Sequence, residues 1–112
     1  MEETGDGDCY FIHGNFVIRH GKKRAYKNLI LCHGRVKGAI GSPVEGRIFG
    51  HAWLEHGDIF MDLSNNKKII MRKENLYNSG RVIMDSIKRY SVDEALKMML
   101  KHEHYGPWEE EE

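Results

Sequence analysis

Three residues of this chain have the types and spacing of a nucleophilic relay: Cys9, His51 and Asp62. A cysteine thiolate attacks a carbonyl carbon, an imidazole moves the protons, and a carboxylate fixes the imidazole tautomer and stabilises its cation. The relay needs no cofactor. The histidine and aspartate fall in Gly50-His51-Ala52-Trp53-Leu54-Glu55-His56-Gly57-Asp58-Ile59-Phe60-Met61-Asp62, where apolar and polar residues alternate on two arms as in a β-hairpin. With His56-Gly57 as a two-residue turn, Leu54 pairs with Ile59, Trp53 with Phe60 and His51 with Asp62. Side chains alternate along strands, so His51, Trp53, Phe60 and Asp62 share one face and Ala52, Leu54, Ile59 and Met61 the other. Directly opposed residues have Cβ atoms roughly 4.5–5.5 Å apart, close enough for the imidazole to donate to the carboxylate.

The nucleophile needs a different setting. Asp8 reads as the N-cap of a helix over Cys9–His20, with Gly21 as its stop and Cys9, Ile12, Phe16 and Val17 on its apolar face. A cysteine in a first helical turn meets the positive end of the helix dipole and unpaired backbone N–H groups, which favour a thiolate. The same N–H groups can hold a tetrahedral oxyanion. A helix packed on the hairpin face that bears His51 would complete the relay. Cys32-His33 is a rival dyad, but a mid-strand cysteine lacks the helix dipole.

The remaining elements are a strand over 28–36, a loop over 38–46, a turn at Ser64-Asn65-Asn66 and a strand over 67–71. One or two helical turns over 73–78 end at Gly80, and a further strand covers 86–90. Ser91-Val92-Asp93-Glu94 is a capping box that opens a helix with Ala95, Leu96, Met99 and Leu100 as its buried stripe. Tyr105-Gly106-Pro107-Trp108 then folds its aromatics back onto the body. Helix, several antiparallel strands, then helix is an α+β order, unlike the alternation that builds a parallel sheet. At 112 residues the expectation is a single domain over 1–112, with flexible acidic ends at 1–7 and 109–112.

Net charge is zero, but eight of the 17 acids lie within residues 1–8 and 109–112. The 17 Lys and Arg therefore face nine acids over 9–108, which gives the body +8. Such a body can attract nucleic acid or an anionic substrate. The basic residues are dispersed, however, and no aromatic–basic interleaving or zinc-finger pattern accompanies them, so the reading is a mixed, solubilising surface. No apolar run approaches the roughly 20 residues that span a bilayer, so no membrane partner is expected. The absence of a secretory signal points to the cytoplasm, where Cys9 and Cys32 are expected as free thiols.

With those residues in view, the order of an N-terminal helical Cys9, a strand bearing Gly50-His51-Ala52-Trp53 and an acid in Met61-Asp62-Leu63-Ser64-Asn65 resembles the papain-like and transglutaminase-like cysteine enzymes. The resemblance covers roughly residues 8–66. It implies a small antiparallel sheet with a nucleophile-bearing N-terminal helix and a C-terminal helix packed on it. It also implies Cys9 as nucleophile, His51 as base and Asp62 as orienting acid, in a hydrolase or acyltransferase acting on a peptide, amide or ester bond. Residues 1–8 lack the Gln that papain-like enzymes use as an oxyanion donor, which leaves the Cys9 N–H with Tyr10, Asn28 or His33. Tyr10, Trp53 and His33 are the candidate substrate contacts.

Two other classes compete. One is a catalytically inactive binding module for a protein or nucleic acid. The other is a metal site drawn from Cys9, His13, Cys32, His33, His51 and His56, or from His102 and His104 near a helix end. Neither set has the paired spacing of a zinc site, so no metal is assigned.

Overall fold

The computed structural model describes residues 8–108, so the expected acidic ends lie outside the described residues. The chain is an α+β fold around a five-stranded antiparallel sheet. Its strands are β1 (Ile30–Lys37), β2 (Ile48–His56), β3 (Ile59–Asp62), β4 (Ile69–Arg72) and β5 (Val82–Ser91), in the order β4-β3-β2-β1-β5. Helices α1 (Cys9–His20) and α3 (Val92–His102) flank the strands in sequence, and the short α2 (Lys73–Asn78) joins β4 to β5.

Each sheet face carries its own core. Leu31 and Leu54 pack with Val17 of α1, Ala95 of α3, Leu29 and Trp108, and with Phe16, Met61, Leu96, Met98 and Met99 at the margin. On the reverse face Cys32, Val36, Trp53, Phe60 and Val82 pack with Met71, Leu76, Tyr77 and Ile87. α1 therefore seats its apolar residues on the Leu54 face and not, as expected, on the face of Trp53 and His51.

The β2–β3 hairpin differs from its expected register. Leu54 pairs with Met61, Glu55 with Phe60 and His56 with Ile59, so the turn is Gly57-Asp58 and each partner lies two residues further on. Gly57 has φ +62°, which matches the preference of a type II′ turn for glycine at its first central position. A slip of one residue would have turned every side chain to the other face, whereas a slip of two keeps all of them. His51 and Asp62 consequently remain on one face, as diagonal rather than directly opposed neighbours.

Other expectations are adjusted for local reasons. Asp8 makes no capping bond to its own helix; its Oδ1 accepts the Asn65 backbone N–H at 2.7 Å and ties the helix start to the turn after β3. Gly21 ends α1 in right-handed geometry, with φ −61°, and its smallness serves packing, because a Cβ there would lie 2.8 Å from Val92 Cγ1. The buried face of α1 is Cys9, His13, Gly14 and Val17, while Ile12 and Phe16 are half-buried. β1 starts at Ile30 because Asn28 occupies a left-handed turn conformation, φ 68°. β5 is longer than expected, and its pairing with β1 is irregular between His33 and Arg35. In α3 the Ser91–Glu94 capping box forms in both directions. Leu100, expected in the buried stripe, is 80% exposed, and Met98 packs in its stead.

Candidate functional site

β2 delivers His51 and β3 ends at Asp62, with a single 3₁₀ turn, Ser64–Asn66, directly after it. His51 Nε2 donates to Asp62 Oδ2 at 2.9 Å. The other carboxylate oxygen, Oδ1, accepts the Ser64 backbone N–H at 3.0 Å and the Ser64 hydroxyl at 2.6 Å. Asp62 and Ser64 are buried, so these bonds hold the carboxylate in a fixed orientation. Burial opposes ionisation of Asp62, but the bonds from His51 and Ser64 prevail and keep its carboxyl well below the usual range.

Nδ1 of His51 is buried with no oxygen or nitrogen partner. The Cys9 side chain is a hydrogen-bonding neighbour of this ring. Burial pushes the imidazole down, yet the hydrogen bonds with Asp62 and Cys9 and their charges outweigh it and raise His51 to about 9. The indole of Trp53 stacks on the imidazole at 6.1 Å between centroids, inclined by 26°.

Cys9 reaches this ring because the start of α1 is fastened to the end of β3 at two points. Besides the Asp8–Asn65 bond, His13 Nε2 accepts the Leu63 N–H at 2.9 Å while His13 Nδ1 donates to the Cys9 carbonyl at 2.8 Å. Those two bonds define a neutral imidazole with its proton on Nδ1. Burial lowers His13 below its ordinary value, against the pull of the nearby Asp62 charge, which agrees with that state. Cys9 itself is fully buried.

Sequence reasoning treated His13 only as a possible metal ligand and passed over Ser64. Both left signals. His13 lies one helical turn from Cys9 on the same face, and a serine two residues beyond an aspartate is a common local capping pattern.

The other candidates separate. Cys32 and His33 are adjacent on β1 and so point to opposite faces. Burial, with the Glu55 charge, pushes the Cys32 thiol far up, and the rival dyad has no geometry. His33 is 5% exposed between Tyr10, Tyr90 and Trp108, both ring nitrogens are unpartnered, and burial lowers it to about 4. Tyr10 and His33 line a depression of about 460 Å³ with Tyr90 and Trp108. Asn28 precedes the end of β1 where Ile30 pairs with Glu55, whereas His51 faces Gly34, four residues further along the strand. Trp53, although buried in the core, is the one substrate-contact candidate beside His51. Among the described residues no three His, Cys, Asp or Glu side chains gather as a metal site, and no helix is long and apolar enough to cross a membrane.

A cavity of about 390 Å³ opens on the His51 face. His51, Asp62 and Trp53 form part of its wall, and the loop over 38–46 roofs it with Ala39, Ser42, Pro43 and Val44. Cys9 is not among the residues lining this cavity, which meets the cluster at His51 and Asp62. In comparisons with known proteins, no family model, no curated protein and no solved structure matches the chain.

Proposed function

We propose that the chain is a small cysteine hydrolase or acyltransferase that cleaves an amide or ester bond through a thioester on Cys9. The observation that carries this reading is the His51 ring itself. One nitrogen is bonded at 2.9 Å to a buried carboxylate, and the nearby Cys9 side chain adds to the forces that hold a proton on the ring. The pattern of residues shared with papain-like and transglutaminase-like enzymes supports the same assignment, as does the α+β fold.

In the first step the Cys9 sulfur, as thiolate with its proton held on His51, bonds to the carbonyl carbon while the C=O π pair moves to oxygen, and the first-turn N–H groups of α1 can hold that oxyanion. The carbon–nitrogen or carbon–oxygen bond then breaks, and His51 gives its proton to the departing amine or alcohol. In the second step His51 takes a proton from water or an acceptor amine, which displaces the sulfur and releases the acyl group. His51, raised to about 9, carries the proton needed for the first departure at neutral pH. Asp62 holds the ring and balances its charge throughout.

Because Cys9 is fully buried, acylation requires the groups above the sulfur to move aside. That burial favours a second reading, a ligand-binding module in which Cys9 only packs. Intact-mass analysis after exposure to p-nitrophenyl acetate separates the two. One acyl adduct is expected on the wild-type chain, retained in Cys32→Ala and missing from Cys9→Ala. An adduct that survives Cys9→Ala, or none in any variant, rejects the enzyme.

A further inference from the structure

We infer that the cavity beside His51 is an acyl pocket that takes an apolar, aliphatic chain ending in a carbonyl or carboxylate. Cys9 does not line the cavity, so the link to thioester chemistry rests on the site reading above, through His51, while the walls carry the aliphatic ligand independently. Lining residues come from every strand: Ile69 and Met71 of β4, Phe60 of β3, Phe49 and Trp53 of β2, Val36 of β1 and Val82 of β5. Neighbouring strands lie about 4.8 Å apart, so a slot crossing five of them extends roughly 19 Å. A volume of about 390 Å³ drawn out over that span suits a flexible chain better than a compact ring system.

Polarity is confined to few places. His51 and Asp62 occupy one stretch of wall, Ser42 and Asn65 add neutral polar groups from the flanking loop and turn, and Asp62 is the only acid in the lining. Its charge is already engaged by His51 and Ser64, so the slot offers no free anion. The two fixed charges are both positive, Lys67 beside the β4 flank and Arg81 beside the β5 flank. Such a lining disfavours a cationic side chain and admits an aliphatic chain whose polar end lies beside the His51–Asp62 pair. A polypeptide threaded through the slot would bury N–H and C=O groups against walls that give them few partners.

Chain-length dependence provides the test. p-Nitrophenyl acetate, butyrate, hexanoate and octanoate are compared with the wild-type chain, and binding of the corresponding free carboxylates to Cys9→Ala is measured by calorimetry. In the ester reaction the sulfur–carbon bond forms as p-nitrophenolate leaves with the bonding pair, and water later returns the thiol and the carboxylic acid.

Each added methylene is expected to raise kcat/KM, and affinity for Cys9→Ala, by about fourfold, from roughly 0.8 kcal/mol per buried methylene. Ile69→Trp, which narrows the slot at its β4 flank, is expected to lower the octanoyl-to-acetyl ratio. Acylation of Cys9 with a flat or falling length series overturns the acyl pocket and leaves the cysteine enzyme standing. Length-dependent carboxylate binding to Cys9→Ala, with no ester ever acylating the wild type, supports the pocket and rejects the enzyme. Absence of both rejects both.

Discussion

Two buried carboxylates stand on the same face of the sheet, and their counterions differ in kind. Glu55, near the hairpin turn, accepts two 3.0 Å bonds from the Arg89 guanidinium, a third from the Tyr77 hydroxyl, and has Lys73 Nζ at 3.8 Å. Burial opposes its ionisation, but Arg89 and Tyr77 win and hold it low. Arg89 is raised in return and stays charged at any pH of interest. The Tyr77 hydroxyl also accepts the Trp53 indole N–H at 3.1 Å, so this cluster pins α2 over the core. Asp62, at the other end, is neutralised by an imidazole. A guanidinium partner makes a permanent clasp, whereas an imidazole partner can lose its proton and take it back. Placing the clasp at one end and the exchangeable pair at the other separates the task of holding the fold from the task of moving protons.

Substitutions at the two ends should therefore fail in different measurements. Cys9→Ala is expected to abolish thioester formation, read by intact mass, with the circular dichroism spectrum unchanged. His51→Ala should lower the acylation rate by roughly 10³–10⁴-fold, and Asp62→Asn by less, toward about 10²-fold, because the ring is retained but badly held. If Asp62→Asn proved worse than His51→Ala, the carboxylate would have a role beyond orientation. Glu55→Gln is expected to cost about 1–3 kcal/mol in urea denaturation, since Arg89 and Lys73 are partly exposed and can rehydrate. Its effect on the acylation rate per folded molecule should be slight, and a large one would erase the distinction between the ends.

A titration sharpens the contrast further. His51, raised to about 9 from an ordinary 6.5, contributes stability in full below 6.5 and loses it as pH rises through about 9. Asp62, depressed, contributes above its ordinary value of 3.8 and loses that share as pH falls through its lower folded value. Glu55 behaves like Asp62 on the acid side and has nothing to lose near pH 9. Urea stability should thus decline between about pH 6 and 10 in the wild type and in Glu55→Gln, and decline less in Asp62→Asn. Equal alkaline losses in all three would show that the His51–Asp62 pair does not set the slope.

Much of this was legible from residue order, and the reasons are local. Period-two alternation puts His51 and Asp62 on one face whether the turn is His56-Gly57 or Gly57-Asp58, so the pair survives an error in register. The Ser91–Glu94 box depends on four consecutive residues and forms as read. Contacts that depend on distant packing were not legible. Asp8 abandons its helix for Asn65, 57 residues on. His13 turns inward to take the Leu63 N–H, and Glu55 finds Arg89 across the sheet, two strands away. The cavity exists because five separated segments and one loop converge, which no spacing rule announces.

The position of Trp108 also bears on how the chain is made. Its indole, 2% exposed, completes the same core as Val17 of the first helix, and β5, the edge strand that pairs with β1, follows the other four strands in sequence. A ribosome that has produced everything through β4 has released neither a strand partner for that edge of β1 nor the plug for that core. That core can close only after synthesis has passed Trp108, so a growing chain must keep helix α1 and the central strands from straying until that residue has emerged.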